Sequence, residues 1–186
     1  MSSTYNYLTS VKKSIYARPW LLMTLAIILI SISSFAGYTI YGHLNNSQIS
    51  LSSITKYKLN YPLFWPDKSS TIVASKVTIK YDPSVKLISY NAIDKAGVRF
   101  IITEQETPAS FNDIPQAFSK LIETMSQYSS FDSQNGTVYL THPKELNGGQ
   151  AAVMNSKGTL MFVKPSVALE DDTWKEFFNS LVIAKS

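Results

Sequence analysis

Between Arg18 and Lys56 the chain carries no Lys, Arg, Asp or Glu, and within that gap Trp20–Tyr41 (WLLMTLAIILISISSFAGYTIY) is almost continuously apolar. So long an apolar run without a charge does not fit the core helix of a small water-soluble domain. As a helix its 22 residues would rise about 33 Å, enough to cross a hydrocarbon core of about 30 Å. Trp20, Tyr38 and Tyr41 stand near its two ends, where amphipathic rings favour the headgroup level. Lys12, Lys13 and Arg18 precede it and no acid does, so the positive-inside rule keeps the N-terminus in the cytoplasm and exports the rest. The expected organisation is a short basic tail (1–18), a transmembrane helix (19–42), a polar Ser/Asn-rich spacer (43–57) and an extracytoplasmic domain (58–186). The implied localisation is that of a single-pass protein of the cell membrane.

A cleaved signal peptide is the competing reading. Leu21–Ile32 would be its apolar core, and Ser34 and Ala36 would be the small residues before a cut. The run continues through Tyr38, Ile40 and Tyr41, which favours an uncleaved anchor, and both readings export the domain. Ser33 and Gly37 form one small-xxx-small pair, which small residues facing lipid explain as well as helix pairing does.

The charge map then removes whole classes of function. Of 17 basic residues three precede the apolar run, while all 13 acids come after it, so the exported part is nearly neutral. Without a basic cluster interleaved with aromatics, nucleic acid is excluded as a partner. With no cysteine there is no disulfide, thiol nucleophile, thiolate metal site or lipidated-cysteine anchor. A sortase-type enzyme is excluded on the same ground, and a signal-peptidase type lacks its Ser-x-Met-x-Pro context. No cofactor is implied.

Periodicity supplies the domain. Lys76–Tyr81, Lys86–Ala92 and Val98–Gln105 alternate as strands, with Ile88 and Tyr90, then Val98, Phe100 and Ile102, facing inward. Asp82-Pro83-Ser84 and Asp94–Gly97 read as turns. A helix is expected over Ile114–Tyr128, capped by Asn112 or Asp113. Further strands are expected at Thr137–Thr141, Gln150–Asn155 and Thr159–Lys164, the last apolar on both faces and so central. A final helix, Asp171–Val182, buries Trp174, Phe177, Phe178 and Leu181. The order βββαβββα with short turns predicts an α+β domain: one antiparallel sheet with two packed helices.

The opening Tyr61-Pro62-Leu63-Phe64-Trp65-Pro66, the strand ending Ile101–Gln105 before Pro108, the Gly148-Gly149 hairpin, the central apolar strand and the closing Asn179-Ser180-Leu181 occur together. In these motifs, over about residues 58–186, the chain resembles single-pass membrane proteins of the candidate phyla radiation (Saccharibacteria type) with a DUF4367-like extracytoplasmic domain. A weaker likeness is to PsbP/Mog1-like domains, which share a YP-x-x-W-like opening, an antiparallel sheet and a closing helix. Neither resemblance brings catalytic residues with it.

Few residues point to chemistry. His43 falls at the outer membrane edge and His142 beside Pro143 in an expected loop, too little for a zinc site or a triad. Glu104 and Glu106 share one strand face about 7 Å apart; they continue the apolar face of Phe100 and Ile102, so Glu104 is either frayed into solvent or held at a core margin with a raised pKa. Glu170-Asp171-Asp172 reads as acidic capping of the last helix rather than a calcium site. Asn45 and Asn135 fit the glycosylation pattern. Tyr61, Phe64 and Trp65 are either an exposed patch for a protein or apolar ligand or, as aromatics beside prolines, plugs of the core. The expected function is a non-catalytic, membrane-anchored binding module with a protein partner at the cell envelope. The alternative is a sheet cradle for a lipid or other apolar ligand, and third a hydrolase using Glu104 or His142. The composition leaves oligomeric state open.

Overall fold

The computed structural model describes residues 59–67, 72–73, 79–84, 86–114, 116–143, 146 and 149–184. The chain divides into two compact units, 1–44 and 45–186. The basic tail with Lys12, Lys13 and Arg18, the apolar run with Trp20, Tyr38 and Tyr41, the spacer, His43 and Asn45 lie outside the described residues. No helix among the described residues is long and apolar enough to cross a membrane.

The fold is α+β, and its strands pair antiparallel throughout. Strands β1 (Phe64–Pro66), β2 (Ile72–Val73), β3 (Ile79–Asp82), β4 (Leu87–Asp94) and β5 (Arg99–Glu106) come first. Two short helices are next, α1 (Ser110–Asp113) and α2 (Ala117–Thr124). Then come β6 (Gln127–Ser133), β7 (Gly136–Thr141), β8 (Ala151–Ser156), β9 (Thr159–Pro165), helix α3 (Asp171–Asn179) and β10 (Leu181–Ile183). The large sheet runs β2-β4-β5-β9-β8-β7-β6, with β2 and β3 end to end along one edge of β4. β9 is central, as its two apolar faces predict. β1 and β10 form a separate two-stranded sheet.

Alternation along the strands assigns the faces. Ile88, Tyr90 and Ala92 of β4, Phe100 and Ile102 of β5, Met161 and Val163 of β9, Ala152 and Met154 of β8, and Val138 and Leu140 of β7 share one core. Trp174, Phe177 and Phe178 of α3 and Leu63, Phe64, Trp65 and Leu181 of the small sheet belong to the same core. Phe177 stacks on Phe100 at 4.6 Å, and Phe178 meets Phe131 edge-on at 6.1 Å. Tyr139 lies between Val138 and Leu140 and so faces the other way; it meets Phe118 of α2 at 5.6 Å. The sheet is therefore sandwiched, with α3 and the small sheet on one face and α2 on the other. Leu121, Ile122 and Met125 are buried on that second side.

Both helices and the element order need correction. The first helix is broken: Ile114, preceding Pro115, is extended at φ −115° and ψ 111°, as a residue before proline prefers. Gln116 then takes φ 65° to restart the chain as α2, with no side-chain cap, so neither Asn112 nor Asp113 caps it. The helix also stops early, at Thr124, because Ser126 adopts φ 56°. Gln127 and Tyr128, expected at the end of that helix, instead begin strand β6, whose QYSSFDS sequence carries little apolar signal because most of it is exposed. The last helix likewise ends at Asn179, and Leu181 leads a strand instead of a fourth helical turn. The βββαβββα order is thus incomplete: β1, β2, β6 and β10 are added to it, and its first helix is two.

The turns obey local chemistry. Asp82 Oδ1 accepts from Ser84 N at 2.9 Å and Ser84 Oγ at 2.6 Å. Lys157 and Gly158, at φ 52° and 84°, make the two-residue hairpin between β8 and β9. Gln116 and Ser126 are strained in the left-handed region, so Gln116→Gly and Ser126→Gly are each expected to stabilise the fold by about 0.5–1 kcal/mol. Phe177→Ala is expected to cost about 3–5 kcal/mol. Urea unfolding of the three variants beside the parent checks both.

Candidate functional site: the buried carboxyl of Glu104

Glu104 is the one acid among the described residues with no exposed surface. Its place on β5 sets this: Ile88 of β4 and Met161 of β9 flank it in register, and both are fully buried. The face of Phe100 and Ile102 continues through Glu104 into the core, so the solvent-frayed alternative is wrong. Glu106, two residues on, is exposed, so the two acids do not act as a pair.

Glu104 meets the backbone of β1, and register explains why that backbone needs it. Trp65 pairs with Val182, and the flanking bonds run from Ala184 N to Leu63 O and from Asp67 N to Ser180 O, both 2.8 Å. Residues 63, 65 and 67 therefore face β10, and Phe64 faces away from it. Phe64 N–H donates to Glu104 Oε2 at 2.9 Å, and Tyr90 Oη donates to Phe64 O at 2.8 Å. Tyr90 Oη also lies 3.1 Å from Glu104 Oε1. Two side chains thus serve Phe64 as a neighbouring strand would.

Protons decide how well this ring closes. Tyr90 has one O–H and two oxygen neighbours, Phe64 O and Glu104 Oε1. If Glu104 is ionised, one of those two goes without a donor. If it is protonated on Oε1, the acid donates to Tyr90 Oη, Tyr90 donates to Phe64 O, and Phe64 N–H donates to Oε2, so every group is satisfied. Burial pushes the Glu104 carboxyl up to about 8, against the pull of the Phe64 N–H and Tyr90 bonds. Burial, and then the nearby Glu104 charge, raise the Tyr90 hydroxyl well above the usual phenol range.

Neighbouring groups extend the arrangement. Tyr61 Oη lies 2.7 Å from Lys86 O and 3.1 Å from Glu104 O, and burial, then the Glu104 charge, raise its pKa. Thr159 Oγ1 donates to Pro62 O at 2.6 Å. Trp65 lies over Tyr90, ring centroids 4.8 Å apart. Tyr61, Phe64 and Trp65 are all less than a tenth exposed, so they are core plugs and not a surface patch. Prolines on both sides keep the segment short, and its aromatics fill the end of the sheet.

The remaining candidates separate. His142 sits half-buried against Tyr128, rings stacked at 4.4 Å. Asp171 and Asp172 occupy the first turn of α3 behind Glu170, where they offset the helix dipole. No group of three His, Asp or Glu among the described residues is placed to hold a metal ion. Asn135 is buried, its Nδ2 donating to Leu181 O at 2.8 Å, so the glycosylation pattern there marks a structural amide. A shallow cleft of about 210 Å³ lies between the β4–β5 turn and α3, lined by Asp94, Lys95, Phe100, Thr173, Glu176 and Phe177. Sequence reasoning missed Tyr90 as a polar group; an inward Tyr near an inward Glu on the paired strand was the available signal.

No protein-family model, curated protein or solved structure matches the chain.

The linkage has a definite sign. A carboxyl with a raised folded-state pKa contributes stability that is fully present below its unfolded value of 4.5 and is lost as pH rises to about 8. Thermal unfolding of the full chain should show stability falling by a few kcal/mol across that window. Glu104→Gln, which keeps a donor and an acceptor but no charge, should abolish most of the slope. Tyr90→Phe should cost about 1–3 kcal/mol by leaving Phe64 O unpaired.

Proposed function

We propose that the chain is a single-pass membrane protein whose domain, residues 58–186, is a non-catalytic binding module outside the cytoplasm, directed at a protein of the cell envelope. The observation that carries the location is the charge gap from Arg18 to Lys56 around the apolar run, with three cations and no acid before it. The likeness to DUF4367-like and PsbP/Mog1-like domains goes with the same reading.

The site geometry supports the non-catalytic part. The most perturbed carboxyl, Glu104, is fully buried and its oxygens are engaged by Phe64 N and Tyr90 Oη, leaving no face for a substrate. Glu106 is exposed and apart from it. A hydrolase built on Glu104 has no support in this arrangement. The cradle alternative needs an open apolar sheet face. On the α3 side that face is filled by Trp174, Phe177, Phe178, Phe64 and Trp65, so the interaction module is the better reading.

The absence of cysteine offers a direct test. Ser2→Cys and Lys157→Cys place single thiols in the N-terminal segment and in the exposed β8–β9 turn. In intact cells an impermeant maleimide should label the second and not the first, with the protein staying in carbonate-washed membranes. The reverse labelling, or release of the protein, would sink the topology. Crosslinked purification of the full chain beside residues 57–186 tests the module: one defined protein recovered by both supports it, and co-purified lipid alone opposes it.

A further inference from the structure

We propose that Glu104 is a proton-operated latch: its protonated carboxyl closes the Glu104–Tyr90–Phe64 ring that holds β1 on the sheet, and loss of that proton to solvent releases β1. This stands apart from the proposed function and holds wherever the domain resides.

The geometry makes β1 the element that responds. It is three residues long, and among the described residues its only strand partner is β10, itself three residues. A two-stranded sheet of this size has little stability of its own. Leu63, Phe64 and Trp65 pack into the shared core, and the polar ties to the large sheet among the described residues are side-chain bonds: the Glu104–Tyr90–Phe64 ring, Tyr61 Oη at Lys86 O and Glu104 O, and Thr159 Oγ1 at Pro62 O. Only the ring contains a group whose protonation decides whether all its donors and acceptors match.

Among the described residues no cation is paired with Glu104 to offset its charge when it ionises. The groups around it are Ile88 and Tyr90 from β4, Met161 from β9, and Phe64 and Tyr61 from the leading segment. The titratable ones are Tyr90 and Tyr61; Glu106 and Tyr81 act on Tyr61 from farther out, and Lys86 contributes its carbonyl. The two titratable groups in contact with Glu104, Tyr90 and Tyr61, are neutral phenols. A buried anion one donor short is costly, and the nearest way to hydrate it is to lift the three-residue strand over it instead of opening the eight-residue β4–β5 pair. Lifting β1 exposes Phe64 N–H, so the latch is read at one amide.

Hydrogen exchange on the full chain in detergent, at pH 5 and pH 8 and corrected for intrinsic rates, tests this. A peptide spanning 61–66 should be at least about tenfold less protected than one spanning 151–163, marking a cheaper opening than global unfolding. Its protection should fall on the order of a hundredfold between the two pH values, tracking a carboxyl that titrates at about 8 when latched and 4.5 when free. Glu104→Gln should hold that change to within about threefold. If this variant does not fold, urea on the parent protein decides: exchange at 61–66 should depend on urea less than exchange at 151–163. Equal protection and equal urea dependence of the two peptides, no pH dependence at 61–66, or an unchanged pH dependence in a folded Glu104→Gln variant would each overturn the latch.

Discussion

The backbone of Phe64 has a strand on one side only, and much of the domain's end is arranged around that fact. β10 takes the peptide groups of Leu63, Trp65 and Asp67. Phe64 points the other way, into a region where water is excluded and an unpaired N–H or C=O would cost about 1–3 kcal/mol. Glu104 and Tyr90 reach up from two adjacent strands to fill that role. Because they come from β4 and β5, the leading segment can close only on a sheet already in register.

The same logic extends to the other end of the chain. β10 exists because Leu181, Val182 and Ile183 have β1 to pair with, and Leu181 fills the core beside Phe64. Its outer edge is held by the β6–β7 turn: Gln134 Nε2 and Asn135 Nδ2 both donate to Leu181 O, at 3.0 and 2.8 Å. Ser156 Oγ in turn donates to Asn135 O, tying that turn to β8. Side chains thus join the small sheet to the large one at both margins, without a continuous ladder between them.

The strands that alternate cleanly were legible. Val98 to Gln105 has a period of two, and its placement with Phe100, Ile102 and Glu104 on one face comes from that alone. Thr159–Lys164, apolar on both sides, named itself as the central strand. Where the signal was weak, β6 was hidden, because an edge strand with one apolar anchor, Phe131, looks like polar loop. The break before Gln116 did have a mark in Pro115, which favours an extended Ile114, but the positive φ of Gln116 and Ser126 is imposed by packing around them and leaves no mark in composition. β1 and β10 are too short for any periodicity to show, and each is a strand only because the other is beside it.

By itself the sequence determined the charge gap and apolar run near the N-terminus, the antiparallel α+β class, and which residues of the longer strands share a face. These depend on local spacing and composition, which the chain carries in any environment. Tertiary structure decided that Glu104 is buried and not frayed, that Tyr61, Phe64 and Trp65 are plugs and not a patch, and that α2 and α3 lie on opposite faces. Alternation assigns a side chain to a face, but the cover on that face comes from segments distant in sequence. For Glu104 the cover is a strand forty residues earlier in the chain, and it is burial, against the pull of the Phe64 N–H, that pushes this carboxyl above the ordinary range.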